Sequence, residues 1–231
     1  MTSIKKTARI AGTLYLVNGV TGFFSIVYVP SKLFVSGDAA ATARNILASE
    51  RLFRLGIACE VICAVEFIYL LWVLYRLLSG VSKTHASLMV IFGVSFVPIM
   101  CMNAVSAITA LMLLRGADFL PMFNAPQRES LAMLFLGVRR YGYDVGWIFG
   151  LWLFHFGVCV WNSGFLPRFL GALLIAACFG YLAVSLTQVL LPSYASIVSR
   201  LANIPLTLGE PAAILWLLIR GAKSQPSEAF A

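Results

Sequence analysis

The sequence predicts an all-α fold: a polytopic membrane protein with six transmembrane helices in one compact bundle and an interfacial helix in the first loop. Three observations carry that expectation. Of 231 residues, 61% are hydrophobic and only 11% charged, against roughly 25% charged in an ordinary soluble domain. The mean hydropathy is +0.91. Six separate apolar stretches reach or approach the roughly 20 residues that a bilayer-spanning helix needs. This composition excludes a soluble globular enzyme, a disordered chain and a disulfide scaffold. The net charge of +8 reads as helix-flanking topology signal, not as a nucleic-acid surface, because no water-exposed segment interleaves basic and stacking aromatic residues. No nucleic-acid partner is expected.

The first span is expected over 10–29, directly after the basic start MTSIKKTARI. Its apolar run is too long for a signal-peptide core, and Pro30 closes it by interrupting the hydrogen-bond ladder. In the next connection Asp38 is a helix cap for AAATARNILASERLF, the interfacial segment. The second span follows over 55–78 and leaves through WVLYRLL, an aromatic and basic belt. The third, 88–114, contains Pro98 and is expected to kink there. The fourth is read over 131–161, the fifth over 169–191 and the sixth over 197–219, the last holding Pro205, Gly209, Glu210 and Pro211 near its middle. All of this is read as a single helical membrane domain, and no internal repeat suggests an inverted-repeat transporter. Six spans place both termini on one side. Lys5, Lys6 and Arg9 before the first span, against Lys32 after it, assign that side to the cytoplasm.

The five cysteines, Cys59, Cys63, Cys101, Cys159 and Cys178, all fall inside apolar spans, where thiols pack as small apolar groups. Their number is odd, and no Cys-x-x-Cys or zinc-type spacing is present. The sequence also lacks a phosphate-binding or dinucleotide glycine loop, a His-Glu-x-x-His helix, a Gly-x-Ser-x-Gly elbow and a lysine deep in a span. No cofactor and no metal site are expected, and catalytic residues are not assigned.

Segments VPSKLFVSGDAAATARNILASERLFRLGI, VPIMCMNA, LLRGADFL, YGYDVGWIFGLWLF, SGFLPRFLGALLI and GEPAAILWLLI, in that order along the chain, resemble the bacterial integral membrane family catalogued as domain of unknown function 4386. The resemblance covers nearly the whole chain. It implies a helical domain in a bacterial cytoplasmic membrane and carries no assigned activity. Members often have histidine where this chain has Arg139.

An ionisable group at membrane depth is costly and so faces the protein interior and a partner. Glu60 and Glu66 on the second span, Asp144 on the fourth and Glu210 on the sixth are the carboxylates in question. On the fourth span Arg140, Asp144, Trp147 and His155 share a stripe of about 80° at about 100° per residue. Gly142, Gly146, Gly150 and Gly157 form the opposite side, which is expected to pack on Ala172, Ala176 and Gly180 of the fifth. Arg140 and Asp144 are either a local i,i+4 pair or, with Asp144 accepting from another helix, part of a polar cavity. Glu60, a turn and a half beyond Arg54, is an ion-pair candidate with a basic group near the membrane surface, as is Arg54. Glu66 lies deeper, with no basic neighbour in its own helix. Asn18, Asn103 and Gln188 are read as interhelical links. His155 is read as a core histidine.

The leading functional reading is an intramembrane, carboxylate-lined pocket for a small apolar or amphipathic molecule, with membrane lipid as the surrounding partner. Glu66, Asn103, Arg140, Asp144, Trp147, His155 and Glu210 are its candidate residues. A proton-coupled transporter using Glu66 or Glu210, an intramembrane acid–base enzyme of isomerase or cyclase type, and a structural scaffold remain open beside it. The oligomeric state is not legible.

Overall fold

Each long apolar run is helical in the computed structural model, which describes residues 4–116, 122–146 and 150–223. The hydrocarbon interior offers no water to backbone N–H and C=O groups, so a spanning segment must satisfy them internally, as a helix does. The elements are α1 (Ile4–Phe23), a π-helical turn (Phe24–Tyr28), α2 (Val29–Leu33), α3 (Ala39–Ala48), α4 (Glu50–Leu78), α5 (Lys83–Arg115), α6 (Ala125–Gly146), α7 (Leu151–Asn162), α8 (Arg168–Leu190), a 3₁₀ turn (Pro192–Tyr194) and α9 (Ala195–Ile219). No strand occurs among the described residues. Six helical stretches are long and apolar enough to cross a membrane: Ile4–Leu33, Glu50–Leu78, Lys83–Arg115, Ala125–Asn162, Arg168–Leu190 and Pro192–Ile219. Many large apolar side chains are exposed, among them Val20, Phe23, Trp72, Met102, Leu201 and Ile204. A water-soluble monomer does not carry so much apolar surface; a lipid-facing one does.

The expected ends of these helices are corrected at several points. Pro30 does not close the first span, which continues to Leu33. The chain accommodates the proline by widening just before it. Val29 donates its N–H to the carbonyl of Phe24, five residues back, and Pro30 has no N–H to give. The Ser25 carbonyl is thereby left to a partner outside the helix. The helix stops only where Phe34 turns extended (φ −93°, ψ 127°). In the sixth span Pro205 and Pro211 both lie inside α9, which continues as one helix past Glu210. In the first connection Asp38 caps α3 as its sequence predicts, its side chain accepting from the Ala41 N–H at 2.8 Å.

The chain packs as two compact units. The first comprises Met1–Val17, Glu66–Phe96 and Val145–Ala231; the second comprises Asn18–Val65 and Val97–Asp144.

In the first unit, helices touch backbone to backbone at glycines. A Cβ on Gly12 would lie 2.5 Å from the Leu218 nitrogen, one on Gly157 would lie 2.7 Å from the Gly171 carbonyl oxygen, and one on Gly209 would lie 2.9 Å from the Leu173 carbonyl oxygen. These approaches seat α1 on α9, α7 on α8 and α9 on α8; small residues permit them where any larger side chain would hold the helices apart. The expected contact of fourth and fifth spans is therefore made through Gly157 and Gly171, and through Gly150, whose Cβ would lie 3.0 Å from that of Tyr181. Gly180 faces Ala202, Pro205 and Leu206 of α9 instead, and Ala172 and Ala176 line an open apolar groove with Phe179.

In the second unit the core is aliphatic and aromatic. Val29, Leu33, Ile46, Phe53, Leu111 and Leu136 are buried together, with Ala107, Ala110 and Ala132 filling the close contacts. Gly142 faces Asn103 there, where the Asn103 amide oxygen leaves no room for a Cβ.

Candidate functional site

Two buried carboxylates organise the polar interior, one in each unit. In the second unit Glu60 of α4 is fully buried. Arg139 of α6 donates to its Oε2 from Nη2 at 2.9 Å and from Nε at 3.2 Å. The Tyr143 hydroxyl, one turn further along α6, donates to Oε1. The Arg139 guanidinium also lies over the Tyr143 ring, 5.5 Å from its centre, a favourable cation–π placement. Its Nη2 donates further to the Ser25 carbonyl at 3.0 Å, which the π-helical turn and Pro30 together leave without a helical partner. The backbone irregularity and the buried charge thus satisfy one another. A buried ion pair is tolerable when its lone pairs and protons are hydrogen-bonded in this way.

In the first unit Glu210 of α9 sits between two phenols. Tyr15 of α1 donates to Oε2 at 2.5 Å and Tyr181 of α8 donates to Oε1 at 2.6 Å. Gly12, one turn before Tyr15, lets α1 approach α9, and Gly209 lets α9 approach α8; these two glycines bring all three side chains together. The Tyr15 ring packs on Trp152 (5.9 Å between centres) and Phe156 (6.5 Å). Phe67 meets the Trp152 ring edge-on at 5.3 Å. Glu210 itself is partly exposed. None of the three ion pairs among the described residues involves it.

The expected site residues divide between these units. Glu66, His155 and Glu210 belong to the first; Asn103, Arg140 and Asp144 belong to the second. Trp147 lies outside the described residues. Glu66 is buried, 9% exposed, and precedes Phe67 of the aromatic group around Tyr15. Asn103 is 2% exposed, and its Nδ2 has no hydrogen-bond acceptor among the described residues. Arg140 is exposed and Asp144 partly buried, one turn apart on α6. The two ion-pair candidates have other partners than each other: Arg54 pairs with Glu50 at 2.7 Å, and Glu60 is held by Arg139, deep in the protein and not at its surface.

His155 has a companion outside the 88–114 span expected for the third helix. His85, in the first turn of α5, brings its Nδ1 to 2.9 Å from the His155 Nδ1, and Phe92 stacks on the His155 ring at 5.6 Å. One imidazole must donate while the other accepts, so the pair holds only while at least one ring is neutral. No group of three or more His, Cys, Asp or Glu among the described residues is arranged for a metal ion. Asn18 links helices as its sequence position suggests, its Nδ2 donating to the Cys63 carbonyl at 3.2 Å.

Six apolar helices with carboxylates held by tyrosine hydroxyls inside them define an integral, multi-pass membrane protein. A family model described as Domain of unknown function (DUF4386) matches residues 10–221, and the chain belongs to that family. No curated protein and no solved structure matches the chain.

Proposed function

We propose that the protein binds a small amphipathic molecule within the membrane and that Glu210 is the group that recognises the ligand's positive end. The supporting observation is the chemistry of its partners. Both carboxylate oxygens are held by phenols on two other helices, and among the described residues no lysine, arginine or histidine supplies the opposite charge within ion-pair distance. A carboxyl so placed responds to a cation or a proton, whereas Glu60 already has its counter-ion. The Tyr15 ring, packed on Trp152 and Phe156, gives this carboxyl apolar surroundings, which suit the apolar part of such a ligand. Glu66, beside Phe67, is assigned to the lining, and Asn103, Arg140, Asp144, Trp147 and His155 are kept as further candidates. The protein is placed in the bacterial cytoplasmic membrane with both termini in the cytoplasm, on the strength of Lys5, Lys6 and Arg9 ahead of the first span.

The reading is tested by equilibrium binding of tetraphenylphosphonium, and of the neutral triphenylphosphine oxide, to the full chain in lipid nanodiscs. Glu210→Gln is expected to weaken the cation at least ~10-fold, about 1.4 kcal/mol, with the neutral analogue unchanged. Equal affinity of native protein and variant for the cation contradicts it. A proton-coupled transporter is the second reading, favoured by the same lack of a fixed counter-ion. It predicts in addition that a pH gradient drives uptake of the cation into proteoliposomes and that Glu210→Gln removes the gradient dependence.

A further inference from the structure

Where the start of α1 meets the end of α9 in the first unit, a cavity of about 710 Å³ is lined by Lys5, Arg9, Arg220 and Lys223, with Trp216 and Ile219 as its apolar side. Among the described residues no carboxylate lines it, and none of the described ion pairs includes any of these four cations.

The convergence is built by the backbone. Past the end of α9, Gly221 adopts φ +68° and donates its N–H back to the Trp216 carbonyl at 3.0 Å. A Cβ at Gly221 would lie 3.2 Å from the Lys5 Cγ and 3.5 Å from the Arg9 Cγ, so both its left-handed conformation and its lack of a side chain suit this seat. Lys223 then donates its N–H to the Phe165 carbonyl at 3.0 Å, which fixes the chain beyond the glycine. Arg9 spends one donor on the Ile219 carbonyl at 3.4 Å.

Positive charge also accumulates here against local preference. Lys5 stands in the first turn of α1, where the helix dipole already presents its positive end. Topology requires basic residues near a span, but it does not require residues 5, 9, 220 and 223 to share one cavity. Four cations at one cleft, with no acid among the described residues that line it, fit an anion.

Beside the cations the surface is apolar. Ile219 and, one turn deeper on the same face, Leu215 are exposed, as is Phe169, whose ring meets Trp216 edge-on at 5.8 Å. Tryptophan at such a boundary is typical of the membrane–water interface.

We propose that this cleft binds the headgroup of an anionic phospholipid, its phosphate held by Lys5, Arg9, Arg220 and Lys223 and its acyl chain lying along Trp216, Ile219 and Leu215. Basic pockets between helix ends take phospholipid headgroups by this combination of charge and adjacent apolar surface. The assignment rests on the membrane character of the chain and is independent of Glu210.

The test is native mass spectrometry of the full chain in detergent, with cardiolipin and phosphatidylcholine added in equal amounts. Cardiolipin is expected to be retained at least ~10-fold over phosphatidylcholine. High salt should remove that preference, because exposed charges are screened. Replacing all four cations by glutamine should lower cardiolipin retention at least ~10-fold, while glutamine at Lys83 and Arg168, cations at other helix ends, should leave it unchanged. The salt series on native protein keeps the proposal testable where the fourfold variant does not assemble. Equal retention of the two lipids, or salt-independent retention, overturns the proposal. Displacement of cardiolipin by millimolar pyrophosphate also overturns it and assigns the cleft to a soluble phosphate compound.

Discussion

Glu60 and Glu210 are both glutamates held by tyrosine hydroxyls inside an apolar protein, and they differ in one partner. Glu60 has Arg139 at 2.9 Å and is completely shielded; Glu210 has two phenols and stays partly exposed. The first arrangement is closed. Its charges cancel, every oxygen is occupied, and the arginine's remaining reach is taken up by the carbonyl that the π-helical turn sets aside. The second is open in charge, because no cation among the described residues pairs with its carboxyl. Two sites with the same acid therefore divide into a structural clamp and a candidate recognition group, and the division follows from the counter-ion alone.

The comparison breaks most visibly at Arg139. Arg139→Met leaves Glu60 buried without its cation, a change that costs about 3–5 kcal/mol when one partner of a buried pair is removed. Joint replacement of Glu60 and Arg139 by methionine is expected to recover most of that loss. Unfolding followed in mixed micelles measures both, and a double variant as unstable as the single one would remove the pair's role as a clamp.

Next in size is Gly12→Ala. Its new Cβ would meet the Leu218 backbone at 2.5 Å, and such overpacking costs about 1–3 kcal/mol. Because Gly12 brings Tyr15 to Glu210, this variant should also weaken binding of the phosphonium cation, which a remote packing defect would not do.

Much of this architecture was legible in the sequence, and the reason is solvent. The bilayer sets the length and apolarity of each span, so the six spans and the Asp38 cap follow from local pattern. The Glu60–Arg139 pair did not, since its members stand 79 residues apart and no helical period connects them. The one signal available was that each is a charge within an apolar run, which demands a partner without naming it. Pro30 was read as a terminator because its missing N–H normally ends the ladder; here one wider turn and an arginine from α6 absorb the loss. His85 fell outside the expected third span because it follows a polar turn, although it stands on α5 facing His155. Tyr15 and Tyr181 were missed as partners of Glu210 because a tyrosine in an apolar span carries no mark of its hydroxyl's task. Only the glycines one turn before Tyr15 and beside Glu210 hinted at close helix approach.

A smaller contrast separates the tyrosines. Tyr143→Phe removes a donor from a fully buried carboxylate and is expected to cost about 1.5–3 kcal/mol, the range for hydrogen bonds to charged groups. Tyr15→Phe should cost less, since Glu210 is not fully shielded and retains the Tyr181 hydroxyl. Equal losses in the two thermal melts would erase the distinction between closed and open sites. The smallest effect is expected at His85→Ala, about 1 kcal/mol for one neutral hydrogen bond. A double-mutant cycle with His155→Ala checks it, and losses that simply add would assign the contact to packing.

The division between the two glutamates is tested most directly by infrared difference spectroscopy of the carboxyl band in nanodiscs, on adding tetraphenylphosphonium. Native protein and Glu60→Gln are both expected to show a ligand-induced change in the carboxyl band, and Glu210→Gln to show none. A change that survives in Glu210→Gln and disappears in Glu60→Gln would contradict the account, because the ligand would then be read by the carboxylate that already has its counter-ion.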